Sequence, residues 1–252
     1  MTQPKLYAVL TGDIVKSSRL SPRQLESVRS LLTGAVSVVR RWQPGLVKDK
    51  PDFFRGDAWQ LLLMDPARAL RVGVYLRAAV LAKGLADTRI SIGLGGVDKV
   101  SSSRVSLSMG QAFTLSGHGL DNMTHYSKMT IEIPNPADPL SGWLPVVGHL
   151  CDSLMGQWTE RQAEVVCAAL DPNEPDHDEI AKALKPAVSK QAVAKALSGA
   201  SWYALREAVR LFEATSWESI LHTQSKQTTE KGCLPPDNQK RLSPARQPKK
   251  VV

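Results

Sequence analysis

The segment Leu6-Tyr-Ala-Val-Leu-Thr-Gly-Asp13-Ile-Val-Lys-Ser-Ser18 decides how the rest of the chain is read. An apolar run that ends in Gly-Asp and breaks into small polar residues is the pattern of a buried strand delivering a carboxylate to its carboxyl end, with a helix beyond it. Ser21 is suited to cap that helix and Pro22 to its first position, and Leu25, Val28, Leu31, Leu32, Ala35, Val36 and Val39 recur at helical spacing. Asp13 therefore stands where a loop of backbone N–H groups meets a helix start, a place that favours phosphate and where a carboxylate can hold a divalent ion. An Asp there can equally cap the following turn, and the spacing admits both roles.

A second carboxylate follows in Phe53-Phe-Arg-Gly-Asp57-Ala-Trp-Gln-Leu-Leu-Leu-Met64, two strand-like runs joined by Arg-Gly-Asp, a hairpin signal. If the Asp13 strand lies beside this hairpin, Asp13 and Asp57 project from neighbouring strands and can share a metal. Mg²⁺ needs only one or two protein carboxylates and completes its octahedron with water and phosphate oxygens. The other reading makes Asp57 a turn residue only.

The 252 residues, 42% of them apolar, suffice for one large or two modest domains. No apolar run approaches the roughly 18 residues of a membrane span, and no basic segment precedes a long apolar one near residue 1, so neither a transmembrane helix nor a signal peptide is expected. Cys151, Cys167 and Cys233 are odd in number and scattered, which argues against a disulfide framework and fits a reducing cytoplasm. His149 and Cys151 lack a matching ligand pair, so no zinc site is expected. The formal charge of +8 divides unevenly. Lys226, Lys231, Lys240, Arg241, Arg246, Lys249 and Lys250 stand against Glu230 and Asp237, which puts +5 in the tail and leaves +3 for the rest.

After a turn-rich connection from Trp42 to Pro51 and the hairpin, Asp65-Pro66 repeats the logic of a capped helix start. The helix runs to about Lys83, with Ala67, Leu70, Val74, Tyr75, Ala78 and Leu81 on one face, Arg68, Arg71 and Arg77 off it, and Gly84 as terminator. Residues 89–97 alternate as a strand whose glycines permit close approach. A mobile loop is expected from Asp98 to Arg104, then a helix over most of 108–121, then a closing strand over 126–133. Pro134, Pro136 and Pro139 within six residues break the chain. The order before them is strand, helix, hairpin, helix, strand, helix, strand, an α+β layer.

Beyond the prolines the period is helical: Trp143 to Met155, a capping box at Thr159 and Gln162 opening a helix to Leu170, then 177–184, 189–197 with Ser189 as cap, and 201–212. The pair 177–184 and 189–197 has the look of a helix-turn-helix. Ser189, Lys190, Gln191 and Lys195 would then face outward, where Lys and Gln reach phosphates and base edges. A small helical bundle for dimerisation or protein contact is the alternative. The tail from about Thr223, poor in apolar residues, is expected to be disordered. The organisation expected is therefore 1–133, a proline-rich linker at 134–142, a helical domain at 143–222 and a basic tail at 223–252.

Gly12-Asp13-Ile, Arg55-Gly-Asp-Ala-Trp-Gln60, Arg89-Ile-Ser-Ile-Gly93 and Gly110-Gln-Ala-Phe-Thr-Leu-Ser116 together resemble the SatD-like proteins and, more distantly, class III nucleotidyl cyclase catalytic domains, over roughly residues 5 to 133. The resemblance implies a ferredoxin-like sheet in which Asp13 and Asp57 bind Mg²⁺ or Mn²⁺ and Lys16, Ser17 and Ser18 line a phosphate loop. Residues 158–213 resemble helix-turn-helix domains of bacterial regulators. Where cyclases carry a base-selecting Lys this chain has Phe53, and Thr114 and His118 stand where they carry an Asn for the ribose and an Arg for transition-state charge. A neutral His does not replace a guanidinium that neutralises phosphate charge.

The resemblance implies a cytoplasmic bacterial regulator, a homodimer, whose cyclase-like domain binds a nucleotide and whose helix-turn-helix binds DNA, with the proline linker as hinge. The rival it implies is an active cyclase or nucleotidyltransferase using two metal ions, with His118 and Arg55, or Arg89, supplying catalytic charge. A third possibility is a dimerisation scaffold in which both aspartates are turn residues.

Overall fold

The computed structural model describes residues 5–134 and 139–221. The basic tail, Cys233 and residues 135–138 of the expected linker lie outside the described residues.

The first strand, β1 (Leu6–Ile14), is central and buried on both faces. A helix, α1 (Pro22–Trp42), follows, and Ser21 closes a complete capping box with Gln24 in front of Pro22. Its inward stripe is Val28, Leu32, Ala35, Val36 and Val39, and each fully buried Val or Leu there stabilises by about 1.5–3 kcal/mol. Next come β2 (Asp52–Phe54), β3 (Ala58–Leu63), α2 (Ala69–Leu81) and β4 (Thr88–Gly96). The helix α3 (Gln111–Asp121) fills most of 108–121, and β5 (Met129–Glu132), whose register with β4 runs over those four residues, is shorter than 126–133.

The sheet order is β2-β3-β1-β4-β5. All pairs are antiparallel except β4 with β5. The first four strands with α1 and α2 make the strand order and directions of a ferredoxin-like layer, and α3 with β5 extends it. Alternation sorts the two faces. Leu6, Ala8 and Leu10 of β1 enter the main core with Trp59, Leu61, Ile90 and Ile92 beneath α1 and α2. Val9 and Leu62 face the other way and pack with Ala112 and Phe113 of α3. That helix comes close because Gly93 has no side chain: a Cβ there would lie 2.4 Å from the Ala112 carbonyl oxygen.

The second half is helical: α4 (Pro139–Met155), α5 (Glu160–Ala169), α6 (His177–Ala183), α7 (Lys190–Gly199) and α8 (Trp202–Ala214). The helix expected from Trp143 begins at Pro139, so residues 139–142 of the expected linker are helical. It lies against β5, the edge strand, with Leu144, Cys151 and Met155 in the main core. The capping boxes at Thr159/Gln162 and Asp176/Glu179 form as local chemistry requires. Arg71 and Arg77, expected off the apolar face of α2, are buried. The helical half covers that side of α2. Arg71 there bonds Glu213 of α8 and the Leu170 carbonyl, Arg68 bonds Glu213 at 2.7 Å, and Arg77 joins Asp87 to Asp152 of α4. No helix among the described residues is long and apolar enough to cross a membrane.

Candidate functional site

The carboxyl end of β1 sets Asp13 directly opposite Ala58 of β3 and Arg89 of β4. Directly opposed residues share a face, and this face carries α3. Arg89 donates from Nε to Asp13 Oδ1 at 2.9 Å and from a second nitrogen to Oδ2. The bonds to Asp13, against an opposing pull from burial, hold the Arg89 guanidinium above its ordinary value. Behind Asp13, Gly12 lets Trp59 lie flat under the strand: a Cβ on Gly12 would sit 2.6 Å from the indole ring. Trp59 Nε1 donates to Thr88 Oγ1 at 3.0 Å, and that hydroxyl donates to the Asp13 carbonyl at 2.7 Å. The backbone that presents the carboxylate is thus fixed from below.

Asp57 arrives from the hairpin turn. Arg55 and Gly56 both have positive φ, 51° and 89°, which reverses the chain tightly. Arg29 of α1 steadies the turn by donating to the Gly56 carbonyl. The Ile14 N–H donates to the Asp57 carbonyl at 3.3 Å, which ties the turn to the end of β1 beside Asp13. The Asp57 carboxylate accepts a hydrogen bond from the Ser17 hydroxyl.

Both aspartates line one cavity of about 580 Å³. Thr11 and Gln60 form its polar floor: Gln60 Nε2 donates to Thr11 Oγ1 at 2.9 Å, and Thr11 bonds Ser116 of α3 at 2.8 Å. One wall is Gly117, Leu120 and Asp121 of α3. The other is Phe54, Arg55 and Arg104. Arg104 bonds Asp52 at 2.8 Å and the Phe53 carbonyl at 3.0 Å, and Ser106 bonds Asp52 through its N–H and hydroxyl. Burial draws the Asp52 carboxyl upward, but these bonds outweigh it and hold it below the usual range. Among the described residues Arg55 makes no ion pair. The cavity therefore presents three carboxylates (Asp13, Asp57, Asp121) and three guanidiniums (Arg55, Arg89, Arg104).

That set suits a divalent cation with an anion beside it. The cation would rest on Asp13 and Asp57, since Mg²⁺ takes one or two protein carboxylates. Among the described residues no three His, Cys, Asp or Glu side chains converge on one point, so any cation here depends on water and ligand oxygens as well.

Of the residues singled out in the sequence, Asp13, Asp57, Arg55 and Arg89 are brought together. Ser17 joins them through Asp57, whereas Lys16 and Ser18 are exposed beside a one-turn 3₁₀ segment and do not line the cavity. Thr114 and His118 face solvent on α3 and are also outside it. In a single chain they contribute nothing to this cleft. Gln60, Arg104 and Asp121 were not singled out. Gln60 alone gave a usable signal, a polar residue inside an apolar strand.

In the helical half, Ser189, Lys190, Gln191 and Lys195 are all exposed on α7, while Val193 and Leu197 bury the opposite side. Ser189 accepts from the Ala192 N–H at 3.1 Å as the helix cap. Residues 184–189 join α6 to α7, a longer connection than the three or four residues usual between paired DNA-binding helices.

No protein-family model matches this chain, and no curated protein matches it. Among solved structures it is similar to the guanylyl cyclase Cya2, at 20% identity over 51% of this chain and 74% of that one, with a TM-score of 0.34. It is also similar to the catalytic core of a rhodopsin-guanylyl cyclase with converted specificity in complex with ATPalphaS, at 15% identity over 53% and 80% of the two chains, TM-score 0.34. A bacterial light-regulated adenylyl cyclase gives 13% identity over 47% and 40%, TM-score 0.30. At these scores the fold assignment rests on strand order and direction, and the chemistry on the cleft itself.

Proposed function

We propose that the cleft binds a nucleotide together with a divalent cation, Mg²⁺ or Mn²⁺, and that the helical half uses the exposed face of α7 to bind DNA, making the chain a SatD-like, nucleotide-responsive regulator. The observation that carries this reading is the delivery of Asp13 by the end of β1 and Asp57 by the β2–β3 turn to one cavity that also holds Arg55, which makes no ion pair among the described residues.

Asp13 and Asp57 hold the cation, which supplies charge neutralisation for phosphate oxygens. To do so Asp13 must release Arg89, and the freed guanidinium then turns to the phosphates beside Arg55. Bidentate guanidinium binding suits both partners, so the exchange replaces one strong contact by another. Ser17 holds the Asp57 carboxylate in place. On α7, Lys190 and Lys195 contact DNA phosphates and Gln191 reaches a base edge. Nucleotide changes DNA affinity only as far as it binds one arrangement of the chain, or of a dimer, better than another.

The test incubates the full chain with each of the four NTPs and Mg²⁺ or Mn²⁺, following thermal shift, nucleotide products and DNA binding, with Asp57→Ala as control. The expected result is a metal-dependent shift with intact nucleotide and altered DNA affinity, both lost in the variant. A cyclic or linked product lost in the variant would replace this reading by the enzyme one. No shift and no product with any nucleotide would overturn both.

A further inference from the structure

A second cavity, of about 300 Å³, lies within the helical half between α6, α7 and α8 and is separate from the cleft. Its walls combine Arg206, Lys190 and His177 with the apolar side chains Ile180, Leu197 and Trp202. The acidic residues at its rim are already engaged. Glu174 is bound by Arg210, and Asp176 accepts from the N–H groups of Asp178 and Glu179 as the cap of α6. Arg71 also reaches the cavity, but Glu213 neutralises it.

Arg206 and Lys190 make no direct ion pair among the described residues, although, added to those hydrogen bonds, their charge helps to hold the Glu174 and Asp176 carboxyls below the usual range. The Arg206 Nε is buried with no hydrogen-bond partner among the described residues, and its guanidinium is held over the Tyr203 ring, 5.4 Å from the centroid. Burying an unpaired donor on a charged group costs stability. That nitrogen is closed to the cavity, so a ligand reaches Arg206 through its terminal nitrogens.

We propose that this cavity binds a small organic anion, a carboxylate or phosphate, with its head on Arg206 and Lys190 and its apolar body on Ile180, Leu197 and Trp202. The planar fork of Arg206 suits a two-oxygen acceptor, and the cavity admits a ligand well below nucleotide size. Lys190 opens α7, so an anion here draws on the same charge that the proposed DNA contact uses.

The test is isothermal titration of the full chain with benzoate and with inorganic phosphate, each at fixed ionic strength set by sodium chloride. The expected result is saturable one-to-one binding of at least one probe, at least tenfold weaker in Arg206→Gln, whose side chain lines this cavity and not the cleft. Benzoate alone would assign a carboxylate and phosphate alone a phosphate ligand. Saturable binding of neither probe, or equal affinity in Arg206→Gln, would overturn the proposal. If Arg206→Gln does not fold, Lys190→Gln at the exposed start of α7 serves instead, and equal affinity there would likewise overturn it.

Discussion

Arg77 and Arg89 each grip an aspartate with two guanidinium nitrogens, on opposite faces of the same sheet, and their surroundings set scaffold apart from site. Arg77 is wholly buried, with Asp87 at 2.8 and 3.0 Å and Asp152 at 2.7 Å. The second oxygen of Asp152 accepts from the Lys128 N–H at 2.8 Å. Every group is satisfied, as a buried ion requires. Arg89 and Asp13 keep 32% and 20% of their side chains exposed, on the wall of a cavity. There water and ligands can compete for the same oxygens. The bonding pattern alone therefore says nothing about function; what lies open beside it does.

The largest effect should come from Arg77→Ala. It leaves Asp152 and Asp87 without their cation between α2, α4 and β4, and should destabilise by about 3–5 kcal/mol, read as a lower urea midpoint. Arg89→Ala removes a pair that solvent already reaches and should cost about 1 kcal/mol or less. Equal losses from the two would break the distinction.

The junction also predicts a pH dependence. Burial pulls the Glu213 carboxyl upward, but hydrogen bonds from Arg71 and Arg68 outweigh it and hold it below the usual range. A carboxyl lowered in the folded state contributes stability that is present above its unfolded value of about 4.3 and is lost as pH falls through the folded one. Glu213→Gln should cost about 2 kcal/mol at neutral pH and flatten the fall in stability below about pH 4. An unchanged acid limb in thermal melts would show that Arg71 and Arg68 hold nothing at Glu213.

These arginines also mark what the sequence could not disclose. Read from the sequence, Arg68, Arg71 and Arg77 lie off the apolar face of α2, yet that helix is buried almost all round, Arg71 and Arg77 and the side they occupy included. What covers that side is a second layer of helices, and one helix's periodicity carries no information about its partners. Features closed within a few residues were legible: the Ser21 cap before Pro22, the Thr159/Gln162 capping box, the Arg55-Gly56 turn, and Asp13 at the end of an apolar run. The Asp13 partner was not, because the pairing with Arg89 needs the β1–β4 register across 76 residues. Thr114 and His118 matched a motif by position, yet α3 turns both to solvent. A motif fixes order along the chain, whereas a helix decides which of its residues face the sheet.

The comparison sharpens further at the cleft itself. Asp13→Asn keeps the shape of the side chain and one acceptor for Arg89, so its stability loss should stay within about 1 kcal/mol, while any metal-dependent nucleotide shift should vanish. A retained shift would mean that Asp13 serves Arg89 alone and is scaffold like Asp152.

The smallest effect concerns Arg55. A non-glycine residue at φ 51° is strained, by about 1–2 kcal/mol, and glycine would relieve this at a cost of roughly 0.4–1 kcal/mol in unfolded-chain entropy. Arg55→Gly should therefore leave stability within about 1 kcal/mol of the native chain and on the gaining side. Strain kept at a turn whose side chain makes no ion pair among the described residues is explained if that side chain serves a ligand. The nucleotide-dependent shift should then shrink in Arg55→Gly even as the melting temperature without nucleotide holds or rises. If both rise together, Arg55 is no part of the site, and the open cation that distinguishes this cleft from the sealed network around Arg77 has no function there.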